Sequence, residues 1–387
     1  MDRVDPKVDE AIETLNMKDG PSRRKLLKGT GLVSATAAAS ALLAACSSSS
    51  SPANAAAKDT AGNFPKTPAW QFWFVNHVTT NTFFTPTQYG FADAAAILDI
   101  PVPKWTGSTN SVASQMVAQI NAAVSAKAAG IATTLINSSS FTTPVANAMS
   151  AGIPVLSYNA DGVVSKSGVP DIGCNRLAYV GQALFTSGQQ LGERIKSLTT
   201  PGEVAIFIET PGTANIQPRF DGANSILSPL GYKVAEITTT TVPATILANE
   251  KAYLLAHKSV KGAFAVDSTS TSFLAQALSE TGMSHLPNGG FDTVPQTLTN
   301  IKAGTTGFTI YQDPYLQGFL PTLYMYLYNI SGGTLVPSDT DTGLSFITKN
   351  NLTQYNVASR YQGSTTAQKY VPRPSGAISN PPATTST

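Results

Sequence analysis

Charge is what this chain of 387 residues has least of: Asp, Glu, Lys and Arg together make up 12%, about half the usual share for a globular protein. Ser, Thr, Asn and Gln fill the polar positions instead. The few charges nearly cancel. Of 25 basic and 23 acidic residues, seven and six fall in residues 1–45, which leaves 18 against 17 in the remainder. A surface so near neutrality lacks the electrostatic footprint that nucleic acid or an anionic membrane requires, so no nucleic-acid partner is expected. Cysteine is scarce too. With only Cys46 and Cys174 there is no disulfide framework to build a fold on. The three histidines, His77, His257 and His285, lie far apart, and Gly-x-Ser-x-Gly, a lysine phosphate loop and His-Glu-x-x-His are all absent. Gly29-Thr30-Gly31 is a poor dinucleotide fingerprint, and the calcium-loop start at Asp339-Thr340-Asp341 meets Asn350 where a glutamate is needed. These absences argue against an enzyme and against any cofactor or metal.

Hydrophobic residues make up 42%, enough for a full core, and the length favours two domains over one. The first segment is set apart from both. Ser22-Arg23-Arg24-Lys25 followed by Leu26-Leu27 resembles a twin-arginine export signal, and Leu43-Ala44-Ala45-Cys46 resembles a bacterial lipobox. Between them, residues 29–45 are too short and too weakly apolar for a membrane span. The resemblance implies that residues 1–45 are a removable signal and that Cys46 carries lipid at the outer face of the cytoplasmic membrane. The alternative is a cytoplasmic protein with an Ala-rich N-terminal helix. Residues 46–68, opening with five serines, read as a flexible tether, and residues 366–387, rich in Pro, Ser and Thr, as a disordered tail. Cys174 reads as a small buried or partly buried thiol.

From residue 70 onward strand and helix patterns alternate with short connections, the signature of parallel sheets covered on both faces. A strand is expected at 70–75, then a polar connection, then a helix capped by Thr85 with Pro86 at its first position. Strands follow at 100–105, 131–136 and 153–158. Between them lie a helix capped by Ser111, with Val112, Met116, Ile120 and Val124 on one face, and a helix from Thr143-Pro144 to Gly152. A long polar connection at 160–178 and a helix through Arg194 lead to a second run. Its strands are expected at 203–209, 232–239, 262–266, 288–291 and 307–311, its helices at 215–230, 243–257, 271–281 and between 292 and 307. A last helix runs from Pro314 to 328, and a last strand covers 344–348. Two Rossmann-like α/β domains with parallel sheets are the expected fold.

Strand after strand stops at a polar group: His77, Asn137, Asn159, Asp267, Asp292 and Gln312. Any one of them alone is an ordinary turn residue. Six across two halves point to a shared crevice at the carboxyl ends of the strands, where open α/β sheets bind ligands.

The order of these features resembles the ribose-binding-protein type of solute-binding protein, the sugar receptors of ABC importers, over residues 69–360. His77 to Phe84 matches the first-strand loop, with Thr82 in place of the usual proline. Leu135-Ile136-Asn137, Gly152-Ile153-Pro154-Val155, Tyr179-Val180-Gly181-Gln182, Gly290-Phe291-Asp292 and Thr342-Gly343-Leu344 match further segments in order. The resemblance implies a type I periplasmic binding protein fold with an N-terminal lobe of 69–180 plus 313–342 and a C-terminal lobe of 181–312 plus 343–365. Three hinge crossings fall near Val180, Gln312 and Thr342, and closure about them would trap the ligand. It also implies ABC permease subunits as partners and a monomeric receptor. Several positions depart from the family. Asn159-Ala160 stands where Asp-Arg is common, Gln217 with Asn215 nearby stands where a binding arginine is expected, and Arg219 matches a different family arginine. Asp267 replaces an Asn. Both pocket arginines therefore read as missing.

The expected ligand-binding set is His77, Asn81, Phe83, Phe84, Asn137, Asn159, Asn215, Gln217, Asp267, Asp292 and Gln312. Carboxylates accept from paired hydroxyls, amides both donate and accept, and aromatic rings cover the C–H face of a sugar. For Phe83 and Phe84, core packing is the alternative. Without a cation the pocket suits a neutral sugar or polyol better than a sugar acid or phosphate. A sensor feeding a membrane kinase or chemoreceptor, or a receptor for a nucleoside, autoinducer or other small polar solute, stays open beside the importer reading.

Overall fold

The computed structural model describes residues 67–137, 139–162 and 175–355. The stretches expected as signal, tether (except residues 67 and 68) and tail lie outside them, as do Cys46 and Cys174. The first run of elements is β1 (Phe72–Asn76), α1 (Thr85–Leu98), β2 (Lys104–Gly107), α2 (Ala113–Ser125), β3 (Gly130–Leu135), α3 (Thr142–Ser150), β4 (Val155–Asp161) and β5 (Tyr179–Gly181). The second is α4 (Leu184–Leu198), β6 (Glu203–Ile208), α5 (Gln217–Leu227), β7 (Lys233–Thr238), α6 (Pro243–Ala256), β8 (Ala263–Ala265), α7 (Ser268–Glu280), β9 (Asn288–Phe291), α8 (Pro295–Ala303) and β10 (Phe308–Tyr311). After them come α9 (Leu316–Ile330), β11 (Thr340–Asp341) and β12 (Ser345–Ile347).

Two six-stranded sheets result, in the orders β2-β1-β3-β4-β5-β11 and β7-β6-β8-β9-β10-β12. All strand pairs are parallel except β12, which runs antiparallel to β10. Alternation along the strands sends residues to both faces. In β1, Phe72 and Phe74 enter the core under α1 and α9, while Val75 enters the core under α2 and α3. In β6, Val204, Ile206 and Ile208 pack under α4 and α5, and Ala205 and Phe207 against α6 and α7. Burial on both faces is why these strands read as unbroken apolar runs.

The helix after each of the first two crossings covers the other lobe's sheet. The chain leaves β5 in the first sheet and α4 packs on the second; it leaves β10 in the second and α9 packs on the first. A third crossing joins β11 to β12. Both lobes close-pack a helix pair through glycine. A Cβ on Gly188 of α4 would lie 2.1 Å from the Arg219 carbonyl oxygen of α5, and one on Gly318 of α9 only 1.9 Å from that of Thr87 on α1. Only glycine permits such backbone approach.

Several local expectations are corrected. The second strand begins at Lys104 because Pro101 and Pro103 cannot donate to a ladder. Thr85 does not cap α1; Asn81 instead caps the short 3-10 turn Thr82–Phe84 by accepting from Phe83 N at 2.9 Å. Ser111 does not cap α2, and the hydroxyl of Ser108 accepts from the Asn110 and Val112 amides in its place. The helix expected at 271 starts at Ser268, with Asp267 as its N-cap.

Candidate functional site

In each sheet the chain reverses its winding beside the first strand, between β1 and β3 and between β6 and β8. These are topological switch points, where the loops after neighbouring strands part and leave a crevice. The two crevices face each other across a cleft of about 450 Å³ including its mouth. Of the sequence-derived set, His77, Asn81, Phe83, Phe84, Asn159, Asn215, Asp267, Asp292 and Gln312 line it.

From the N-terminal lobe, β1 ends in Asn76, whose Nδ2 donates to the Tyr158 hydroxyl at 2.9 Å and whose Oδ1 accepts from Val78 N. This ties the turn down and sends His77 into the cleft. The His77 ring lies edge-on to Phe84, which is edge-on to Phe83. Both phenylalanines also belong to the core under α1, so the lining and packing readings hold together. Nδ1 of His77 pairs with Thr134 Oγ at 3.1 Å and Nε2 with Asn215 Nδ2 at 3.3 Å. Burial pushes the imidazole down to about 4, so the ring is neutral near pH 7. With the Asn215 amide donating to Nε2, the ring proton sits on Nδ1.

β4 reaches the cleft through a bulge. Thr133 pairs with Ser157 but Leu135 with Asp161, and inside that irregularity Asn159 adopts a φ of 62°. Asparagine tolerates this left-handed backbone better than most residues. Its Nδ2 donates to Gln317 Oε1 at 3.2 Å and to Gln312 Oε1 at 3.4 Å. Gln312 Nε2 donates to Asp292 Oδ1 at 2.7 Å, and Gln317 Nε2 and the Thr342 hydroxyl both donate to the Gln312 carbonyl. One buried amide network thus spans two hinge crossings and the cleft floor. Such networks rigidify when every member is paired.

The C-terminal lobe supplies three carboxyl groups. Asp267 accepts from Ser270 N, the Ser270 hydroxyl and Glu209 N, so it caps α7 and braces the end of β6. Asp292, with a φ of 74°, accepts from Gln312. Glu209, directly after β6, lines the cleft with no donor to its carboxyl among the described residues. Burial, then the nearby Asp267 and Asp292, push Glu209 up to about 9; burial also raises Asp267 to about 6, against its three hydrogen bonds. Burial raises Asp292 as well, opposed by Arg219 and Gln312.

Two residues of the expected set lie elsewhere. Asn137 folds back locally, its Oδ1 accepting from Ser140 N at 2.8 Å. Gln217 accepts from Gly212 N and donates to Asp221 and Glu236, which shapes the connection after β6 instead of facing the cleft. The expected absence of a cation is corrected too. Arg219 lines the cleft, buried, its Cζ 4.2 Å from the centroid of the Phe291 ring. Its Nη1 donates to the Val266 carbonyl and Nη2 to Gln182 Oε1. Burial lowers its pKa, partly countered by Asp292. Val78, Ser111, Glu209, Thr210, Ile216 and Ser268 also line the cleft without having been anticipated. Glu209 was within reach of the sequence, since it ends the apolar run 204–208 as the other polar stops end theirs. Ser111 and Ser268 carry no such signal.

The lobes touch across this site. Asn81 Nδ2 donates to Ser268 Oγ at 3.3 Å, and the Ala214 amide donates to the Ile136 carbonyl at 3.0 Å. Among the described residues no group of His, Cys, Asp and Glu side chains is placed to hold a metal. The arrangement presents acceptors, donors and aromatic faces to a small polar molecule held between two lobes.

Comparison with known proteins agrees with this geometry. The chain is 42% identical, over 95% of its length and 96% of the relative's, to the xylose/arabinose-binding protein XylF of Sulfolobus acidocaldarius. A crystal structure of an ABC transporter solute-binding protein from Burkholderia graminis in complex with D-arabinose superposes with a TM-score of 0.68 at 27% identity, covering 76% of this chain and 99% of that one. A carbohydrate transporter from Acidothermus cellulolyticus in complex with myo-inositol shares the fold, with a TM-score of 0.65 at 22% identity over 74% and 96% of the two chains. Residues 72–332 match the model of the periplasmic binding protein domain, and with two such lobes meeting at their switch points the chain belongs to the periplasmic binding protein family.

Proposed function

We propose that the cleft captures a neutral sugar, a pentose of the xylose or arabinose kind first of all, and that the protein delivers it to an ABC importer. The observation that carries this reading is the cleft itself. Carboxyl, carboxamide and imidazole groups from the strand ends of both lobes converge beside Phe83 and Phe84. A sugar offers hydroxyls that donate and accept around a C–H face, and this lining complements both. Asp267 and Asp292 beside Arg219 leave the cleft without the net positive charge that a phosphate or a sugar acid would need, so the neutral class stands although a cation is present. The 42% identity to a protein named for xylose and arabinose binding supports the pentose choice.

Because the ligand would touch groups on both lobes, it favours the closed arrangement by its differential affinity, and rotation about the three crossings would release it. Residues 1–45 act in this reading as an export signal, and Cys46 as a lipid anchor on a monomeric receptor. A Cys46→Ser chain should then move from the membrane to the soluble fraction. The sugar reading is tested by a thermal-shift panel of D-xylose, L-arabinose, D-arabinose, myo-inositol and ribose 5-phosphate. Stabilisation by at least one neutral compound is expected. A response to the phosphate alone would sink the proposal.

A further inference from the structure

We propose that Glu250, sealed in the core of the C-terminal lobe, is a positioning residue for the sugar site: its proton keeps the Asp267 wall of the cleft in place, and losing that proton loosens the wall. The proposal rests on the sugar-binding reading above but concerns a residue outside the cleft lining.

Glu250 is 0% exposed, and among the described residues it alone has both carboxyl oxygens buried without a hydrogen-bond partner. Native interiors rarely leave such atoms unpaired, and each one asks for an explanation. α6 buries Ile246, Glu250 and Leu254 at a spacing of four, so they share one face of the helix. Leu254 belongs to the core that α6 and α7 form against β6 and β8, with Phe207, Leu274 and Leu278. A carboxylate in the middle of that face would be an unpaired charge in apolar surroundings, which costs far more than a neutral acid. Burial first, then the charge of Asp267, hold the Glu250 carboxyl well above its ordinary range.

Short steps tie this position to the cleft. Asn249, one residue before it, donates from Nδ2 to the Thr238 carbonyl at 3.3 Å. Thr239 follows, its hydroxyl 2.7 Å from that of Ser270 on α7, and Ser270 donates to Asp267 through both its amide and its hydroxyl. Asp267 caps α7 and lines the cleft. Other titratable groups on the surrounding elements are engaged elsewhere. Lys251 of α6 pairs with Glu280 of α7. Tyr253 and His257 of α6 hold Glu203 of β6, which also takes Lys233 of β7. Glu236 of β7 accepts from Gln217 of α5, a helix that covers the other face of the sheet. The charged group that bears on Glu250 is therefore Asp267, a second acid. Once Glu250 ionises, its charge is relieved only by α6 parting from α7 to admit water, or by Asp267 giving way. Either motion disturbs the Ser270 contacts that hold the wall. A raised folded-state value means that this support is complete below the ordinary 4.5 and is lost as pH rises through the folded value. Sugar affinity should accordingly fall toward alkaline pH.

Isothermal titration calorimetry tests this on the full chain between about pH 5 and 9, with whichever of D-xylose, L-arabinose and D-arabinose binds wild type most tightly. Wild type is compared with Glu250→Gln, which keeps the shape of the neutral acid and cannot ionise, and with Glu250→Met, which fills the core without a polar group. The quantity read is the ratio of wild-type to variant affinity at each pH, because Glu209, Asp267 and Asp292 titrate in every one of these proteins. That ratio should be level at the acidic end and fall about tenfold or more toward the alkaline end. In the infrared, wild type should show a protonated-carboxyl band that both variants lack and that fades over the same range. A ratio constant with pH would overturn the inference while leaving sugar binding intact, since a residue that merely fills the core shifts affinity equally at every pH. If neither variant folds, the wild-type profile decides alone, and an affinity that does not fall as the band fades overturns the inference. A wild type that binds none of the three pentoses would overturn the sugar reading and this inference with it.

Discussion

His77 and Asn215 meet across the cleft from opposite lobes, Nε2 to Nδ2 at 3.3 Å. The contact requires a neutral ring, since protonation would set two donors against each other. Burial lowers His77 from 6.5 to about 4. A lowered folded-state value means the stabilisation is present in full above 6.5 and is lost as pH falls through about 4. Small-angle scattering of wild type should therefore show a radius of gyration that rises over this window. His77→Phe should show no such rise, and a wild-type curve independent of pH would refute the prediction.

The carboxyl groups opposite impose the reverse slope. Glu209 moves from 4.5 to about 9 and Asp267 from 3.8 to about 6, both by burial first. Raised values give stability that is full below the ordinary value and lost as pH rises through the folded one. Between about pH 5.5 and 8.5 the larger Glu209 shift outweighs the gain from His77, so Tm should fall across that interval. Glu209→Gln should flatten this alkaline limb. A Tm that climbs steadily to pH 8.5 would contradict it.

Asp292 and Asn137 both end strands, yet they should respond differently to removal. Asp292→Ala takes away a buried carboxyl at the cleft and strands Gln312 Nε2, and it should weaken pentose binding by about ten- to a hundred-fold. Asn137→Ala removes only a local turn bond and should leave affinity within about twofold. Calorimetric titration of both variants decides the matter. Equal losses would return Asn137 to the site.

Gly188→Ala should cost about 1–3 kcal/mol of stability by forcing α4 and α5 apart. Because the clash is with the backbone at Arg219, it should also weaken sugar binding, whereas Gly318→Ala in the other lobe should cost stability mainly. Urea unfolding beside ligand titration separates the two effects.

Much of the fold was legible because its cause is local. The unbroken apolar runs of β1 and β6, the apolar face of α2 and the glycine and proline punctuation depend on neighbours a few residues apart, and the two-lobe α/β pattern followed from them. At the helix starts, local chemistry misled where two readings compete. Thr85, Ser111 and Asn81 are all competent caps, and the turn geometry after β1 and β2 chose Asn81 and Ser108.

That polar groups end the strands of two parallel sheets can be read along the chain, since strand ends are set by where an apolar run stops. Which of those groups face the cleft was fixed by long-range packing. Asn159 and Asn137 end neighbouring strands, and the bulge in β4 turns one toward the hinge network while the other folds back on its own loop. Gln217 and Arg219 stand two residues apart on α5, and the contact of α4 at Gly188 sets the helix so that the arginine lines the cleft and the glutamine braces the loop. The reason is physical: a side chain's direction follows from the rotation and approach of whole elements, which long-range packing fixes and no neighbouring residue records.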